Sequence, residues 1–382
     1  MIALFQKIKN RLKIYQNYYK IVRKNIAKNN QHDTQKSTVL FDFTNLGIIP
    51  YQYALINYFS IAGYNILVIK NKLWIGSFDH YSSFLVDIPQ LNFTHKFSNK
   101  ASEIIYITDR NKVWKNKVWK KYLYLNCDIF SLETCQWQTT LVMPYPMHPN
   151  AYGLKTYLEI HKYRESKREV KLFFSGNQNQ VSYRQNVFKE FFKKMNRIEI
   201  LDTLVKALLP SEIAIVQNEF QAKQLSESYQ NKFVLRHWIR HIGNHTNMGI
   251  RVKNPEWLET LAKADFFLGC SGTSQPMCHN AVEAMSVGTI PVLEYATHFV
   301  PALEHEKNAI IFDGQDDLLS KVRQVLAMPQ DKILQMRQNV IAYYEQFLNP
   351  VPFVSKVEQL PLYFNNLYVL AESASHAMKN RH

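Results

Sequence analysis

Two α/β domains in tandem, each a doubly wound and mostly parallel sheet, make up the fold class this sequence predicts. Short apolar segments alternate with amphipathic ones along most of the chain. Those apolar segments end in polar, glycine- or proline-containing loops, which is where sheets of this kind hold their ligands. At 382 residues, 46% hydrophobic, the chain is also long enough for two cores of ordinary size.

The elements follow in order. The first 28 residues contain Lys7, Lys9, Arg11, Lys13, Lys20, Arg23, Lys24 and Lys28 and no acid, while Leu4, Ile8, Leu12, Tyr15, Tyr19, Val22 and Ile26 recur three and four apart. This spacing predicts a basic amphipathic helix within residues 1–30. Such a helix either lies on an anionic membrane surface through residues 1–28 or packs its apolar stripe on the rest of the protein. One-sided positive charge and an aromatic-lined apolar side favour the membrane.

After a polar linker, Asn29 to Lys36, the run Thr38 to Phe43 reads as a buried strand, Gly47 as a turn, Tyr51 to Ala62 as a helix and Asn65 to Lys70 as a second strand. Glu103 to Thr108 and Thr139 to Met143 read as further strands of this N-terminal Rossmann-like domain, residues 37–158. The run KVWKNKVWKK, Lys112 to Lys121, reads as a solvated basic helix surface. The charged stretch His161 to Glu169 reads as a linker.

A second Rossmann-like domain, residues 168–330, takes strands at Lys171 to Ser175, Ile213 to Gln217, Phe233 to Leu235, Ala264 to Leu268 and Thr289 to Leu293, and a helix at Arg184 to Met195. From about Asp316 the pattern turns helical. C-terminal helices in 331–382, with a last one from Phe353 to about Ala377, are expected to pack back on the N-terminal domain.

A net charge of +15 points to anionic partners. No RNP, KH, zinc-finger or helix-turn-helix signature is visible, so a nucleic-acid partner is not expected. Cys127, Cys135, Cys270 and Cys278 form no CxxC spacing and read as reduced thiols. The first residues lack the apolar core and cleavage site of a signal peptide, and no run reaches the roughly 18 apolar residues of a membrane span. A cytoplasmic protein is expected, peripheral on the cytoplasmic face of the membrane.

The segment Ala264 to Leu293, ADFFLGCSGTSQPMCHNAVEAMSVGTIPVL, carries the chemistry. It reads as strand, polar turn, helix from about Met277 to Gly288, and strand. Three of the chain's 11 glycines, Gly269, Gly272 and Gly288, fall in it. Ser271, Gly272, Thr273 and Ser274 can offer N–H groups and hydroxyls to a phosphate at a helix N-terminus, or can simply cap the helix.

This segment resembles the nucleotide-sugar site of the GT-B glycosyltransferases, both the retaining E-x7-E type and the exostosin-like type. The resemblance runs through Glu283-Ala284-Met285, Gly288 and Ile290-Pro291-Val292-Leu293. A second piece, Leu172 to Gly176 followed by Arg184, is similar to the opening of the exostosin-like domain. The two pieces cover about half of residues 170–295; the N-terminal half matches at fold level only. Two positions depart from the pattern: the earlier acidic position of E-x7-E is Gln275, and Asn280 stands where a basic residue often precedes the glutamate.

The resemblance implies a nucleotide-sugar donor, with Glu283 accepting the ribose hydroxyls. Gly176, Arg184, Arg236, His237, Arg240, His279 and Asn280 are the further donor-binding candidates, since guanidinium groups grip phosphate bidentately and stay charged. For an inverting reaction a base is needed, and the first domain offers His148 in MPYPMHP, Asp42, Asp79 and Asp109. No cofactor and no metal is expected, because no Asp-x-Asp motif is present. The expected function is glycosyl transfer to a glycan or lipid-linked acceptor; a nucleotide-sugar epimerase of the same fold and a basic nucleic-acid-binding protein are the alternatives.

Overall fold

The structure, a computed structural model, describes residues 2–28, 33–78, 81–95, 101–110, 119–127, 141–183, 190, 192–218, 220–221, 229–236, 240–242, 245–247, 251–273, 275–360 and 364–371. Its strands run in chain order as β1 (Thr38–Asp42), β2 (Asn65–Ile69), β3 (Leu91–Thr94), β4 (Ile104–Thr108) and β5 (Lys121–Asn126). They continue as β6 (Val170–Ser175), β7 (Ile213–Val216), β8 (Phe233–Arg236), β9 (Arg240–Ile242) and β10 (His245–Asn247). The last are β11 (Ala264–Leu268), β12 (Ile290–Leu293), β13 (Ile310–Ile311) and β14 (Phe364–Tyr368).

The chain divides into two compact units, Met1–Leu154 with Asn349–His382, and Lys155–Leu348. In the first, six parallel strands lie in the order β14-β5-β4-β1-β2-β3. Strands β1 and β4 are buried at every position, because a parallel sheet is covered on both faces. Leu40, Ile104, Tyr106, Trp119 and Tyr122 form one core cluster, with Tyr106 stacked on Trp119 at 4.5 Å. The helix Ile49–Ile61 opens with Pro50 in its first turn and supplies ten buried residues to the other core face.

The N-terminal helix runs over Ile2–Ala27, as its apolar spacing predicts. Its second half is docked on this unit through Tyr18, Ile21, Val22 and Asn25, all buried. Asn25 Nδ2 donates to Leu91 O at 2.7 Å and Asn17 Nδ2 to Gly76 O at 2.8 Å, while Lys28 Nζ donates to Val86 O at 2.9 Å. A Cβ added at Gly76 would lie 2.2 Å from Ile14 O, so only glycine allows the backbones to approach this closely. No helix among the described residues is long and apolar enough to cross a membrane.

In the second unit, six parallel strands lie in the order β13-β12-β11-β6-β8-β7. A separate antiparallel ribbon joins β9 to β10. The expected pair of tandem Rossmann-like sheets is therefore present.

Several segments differ from the sequence reading. The stretch read as a linker, 161–169, is part of the second unit: Arg164 Nε donates to Ser286 O at 2.9 Å, and Arg168 donates to Ala264 O, Val287 O and Thr289 Oγ1. Its charges read as solvated, yet arginine stems pack while their heads bind carbonyls. The last helix covers only Pro350–Gln359, and the chain then enters β14 beyond Pro361, which cannot continue a helix. Of the expected strand at 139–143, Val142 makes a single bridge to Tyr368. The helix read at 184–195 falls mostly outside the described residues; its end, 193–195, is not helical, and a helix starts instead at Arg197.

Candidate functional site

In each sheet the strand order reverses beside the first strand, between β1 and β4 in one unit and between β6 and β11 in the other. Loops leaving the carboxyl ends of such strand pairs diverge to opposite faces and leave a crevice. The sequence candidates fall on these loops.

In the second unit β6 leads into Gly176 and β11 into Gly269 to Thr273, while Arg236 ends β8 in register with Ser175. Ser271 and Gly272 are buried, Thr273 half-buried. The next helix, His279–Ser286, starts without a side-chain cap bond at Cys278; it places half-buried His279 and Asn280 in its first turn and buried Glu283 one turn on. Gly288 then takes φ +78°, the left-handed turn that returns the chain to β12. Arg184, His237 and Ser274 lie outside the described residues, as does the side chain of Arg240, whose backbone opens β9.

Glu283 is 2% exposed, and the indole N–H of Trp257 donates to its Oε2 at 2.6 Å. Trp257 is itself held edge-on against Phe267 of β11. The carboxylate of Glu283 is thus oriented from below by a ring packed on the sheet.

The residue that joins the two loops is one the sequence reading missed. Arg197 is 3% exposed, at the first turn of the helix Arg197–Ala207. Its Nε donates to Ser271 O at 3.1 Å, its Nη1 to Asn177 O at 2.9 Å, and its Nη2 to Cys278 Sγ at 3.6 Å. The guanidinium lies 3.9 Å from the centre of the Tyr183 ring. One side chain therefore ties the loop after β6 to the loop after β11 and to the start of the Glu283 helix.

Among the described residues no carboxylate pairs with Arg197. Its titratable neighbours are Tyr183, Cys278, Cys270 and Tyr295; burial pushes the Cys270 thiol up to about 12 and holds the Tyr295 phenol well above its usual range. Two carbonyl oxygens and the Cys278 sulfur accept from its N–H groups. Arg197 also stands at a helix N-terminus, whose dipole adds positive potential rather than relieving it. Burial works against the Arg197 charge, but Tyr183 and Cys278, ahead of Cys270 and Tyr295, raise its pKa, so a buried guanidinium stays charged among the loops at the carboxyl end of this sheet.

One signal could have marked Arg197. Asn196 and Glu199 form a capping box, with Asn196 Oδ1 accepting from Glu199 N at 3.0 Å and Glu199 Oε2 accepting from Asn196 N at 3.1 Å. The sequence Asn196-Arg-Ile-Glu199 announces a helix start that places the arginine at its mouth.

In the first unit the three base candidates have defined partners. Asp42, 1% exposed at the end of β1, accepts from Tyr106 Oη at 3.1 Å and pairs with Arg110 at 3.2 Å. Asp109 accepts from Thr44 N, Thr44 Oγ1, Asn45 N and Gln52 Nε2, all within 2.9 Å, and so braces the loop after β1. His148 caps the short helix Pro149–Gly153, its Nδ1 accepting from Asn150 N at 3.2 Å, which puts the proton of the neutral ring on Nε2. Asp79 lies outside the described residues. No group of three or more His, Cys, Asp or Glu among the described residues could hold a metal ion.

No protein-family model and no curated protein matches the chain. Among solved structures it is similar to HepE of Anabaena in complex with UDP, at 14% identity and a TM-score of 0.44, covering 84% of this chain and 98% of that one. It is similar to TarM at 12% identity and a TM-score of 0.33, covering 69% and 55%. It is also similar to the UDP-GlcNAc 2-epimerase of Methanocaldococcus jannaschii at 11% identity and a TM-score of 0.32, covering 81% and 98%. Likeness this distant says nothing of activity.

Proposed function

We propose that the chain is a glycosyltransferase that takes a sugar from a nucleotide-sugar donor and passes it to a glycan or lipid-linked acceptor, working at the cytoplasmic face of a membrane without a metal. The observation that carries the reading is Arg197. When the bond between sugar and phosphate breaks, negative charge grows on the departing nucleotide diphosphate, and a fixed guanidinium beside a helix N-terminus stabilises that charge without reorganising. The buried Ser271–Gly272 turn and Glu283 stand on the loop and helix that Arg197 clasps, so phosphate and ribose fall to neighbouring groups. Arg236 at the end of β8 supplies a second cation at the same sheet edge.

The test is thermal. A nucleotide that binds the folded state raises its Tm. The Tm should rise with one of the UDP-, GDP-, CMP- or dTDP-sugars and with its free nucleotide, but not with the bare nucleoside. No shift with any of them overturns the donor site. With the stabilising donor, nucleotide released only when a glycan or lipid acceptor is added supports transfer. Isomerised sugar formed without acceptor would make the chain an epimerase instead.

A further inference from the structure

The N-terminal helix has two apolar faces, and the fold uses only one. At about 100° per residue, the docked side chains Ile14, Tyr18, Ile21, Val22 and Asn25 centre on one line. A second set, Phe5, Ile8, Leu12, Tyr19 and Ile26, centres about 120° away around the same helix. Those five are 74%, 52%, 57%, 53% and 67% exposed. Among the described side chains of this helix they are the exposed large hydrophobics, and they recur from Phe5 to Ile26.

Charge selects what covers this stripe. Lys9, Lys13, Lys20 and Arg23 border it on one side and Arg11 on the other, all exposed. Residues 1–28 contain no acid. An apolar stripe of this length, edged by cations and containing Phe5 and Tyr19, fits the boundary between headgroups and acyl chains of an anionic bilayer. A protein partner of matching shape would need a row of acids along the edge that meets Lys9, Lys13, Lys20 and Arg23.

We infer that this outer face of the N-terminal helix is a docking surface for an anionic phospholipid bilayer, while the inner face holds the helix to the first unit. The helix is then a bracket. Because Asn25, Asn17 and Lys28 bond it to the backbone at Leu91, Gly76 and Val86, the lipid-bound helix fixes which side of the first unit looks toward the membrane. This goes beyond a helix that merely attaches the protein, and it is independent of the donor site.

The experiment is flotation of the full chain with vesicles of phosphatidylglycerol and phosphatidylcholine, against vesicles of phosphatidylcholine alone. Wild type should float with the anionic vesicles only, and raised salt should release it. The double variant Leu12→Asp, Tyr19→Asp should lose at least ten-fold in bound fraction with its Tm within a few degrees of wild type, because both side chains are more than half exposed and Tyr19 touches the fold only at the edge of Tyr18. Lys9→Glu with Lys20→Glu should lose binding while keeping the apolar stripe. Equal flotation of the wild type and the Leu12→Asp, Tyr19→Asp variant overturns the proposal. So does a wild type that stays unbound, including one whose light-scattering mass shows a dimer that the same variant converts to monomer; the stripe would then join two copies of the chain. Donor-dependent Tm shifts are read without vesicles, so failure of the donor reading and failure of this one are seen separately.

Discussion

The indole nitrogen of Trp257 and the carboxylate of Glu283 stand 2.6 Å apart inside the second unit, the one donating and the other accepting. Removing the donor and keeping the ring isolates this bond. Trp257→Phe should lower stability by about 1–3 kcal/mol, because it leaves a buried carboxylate short of a partner. It should also raise the donor KM more than it lowers kcat, since Glu283 loses its orientation rather than its chemistry. Glu283→Gln keeps an acceptor for Trp257 and should leave Tm nearly unchanged while raising donor KM. An unchanged KM in both would take Glu283 out of the donor site.

Arg197→Lys removes the fork that reaches Ser271, Asn177 and Cys278 at once. An ammonium is a compact point charge and cannot span the three. The Tm of the ligand-free protein should fall, and the added stabilisation by the preferred nucleotide should shrink at least ten-fold in apparent Kd. A nucleotide Kd equal to that of wild type would show that the anion binds elsewhere.

Asp109→Ala should act on stability before it acts on rate. It removes the acceptor of three donors in the loop after β1 and of Gln52 in the helix that follows, and a loss of about 1–3 kcal/mol is expected. Chemical denaturation reads this directly. If stability held and kcat collapsed, Asp109 would belong to the chemistry and not to the brace.

Gly76→Val forces atoms against the backbone of Ile14. The N-terminal helix should lift, and limited proteolysis near residues 28–33 should speed up several-fold while the second unit keeps its protection. Gly63→Ala is the contrasting variant: it too is a glycine of the first unit but has nothing within 4 Å, so any strain there comes from its φ of +86° and not from contact.

Stability should fall in mild acid through His298. Burial first, and the charge of Lys194 second, lower its pKa from 6.5 to about 4. Between those values the unfolded chain holds a proton that the folded chain refuses, so stability is complete above about pH 6.5 and declines as pH drops toward 4. His298→Phe should flatten that part of the Tm-against-pH curve relative to wild type. Parallel curves would remove His298 as the cause.

Much of the fold was legible because period and burial coincide. β1, β6, β11 and β12 are apolar runs buried on both faces, and their sequence says so. β5, KYLYLN, and β14, FNNLY, lie at one side of the first sheet and carry polar residues, so they do not stand out as apolar runs; both escaped notice. The loops of the site were legible from glycine and hydroxyl residues, and Glu283 from its helix. Arg197 was passed over although the Asn196–Glu199 capping box marks its helix start, because its reach to Ser271, Asn177 and Cys278 is a property of the folded neighbourhood and invisible along the chain. Asp42, Asp109 and His148 were legible as polar groups in loops, but their partners Tyr106, Gln52 and Asn150 are set by packing.

The place of β14 has a consequence for how the protein comes into being. The second unit is one uninterrupted stretch, whereas the first sheet receives a strand from beyond it, with Phe364 to Tyr368 paired to Tyr122 to Asn126. During synthesis the second unit can close as soon as its own residues have left the ribosome. The first must wait, with the rim of β5 bare, until Tyr368 has been made. A bare rim is an invitation to stray strands. Loss of β14 therefore injures the sheet that begins with β1, and nascent chains stalled after residue 348 should depend on chaperones that a chain carrying β14 does not need.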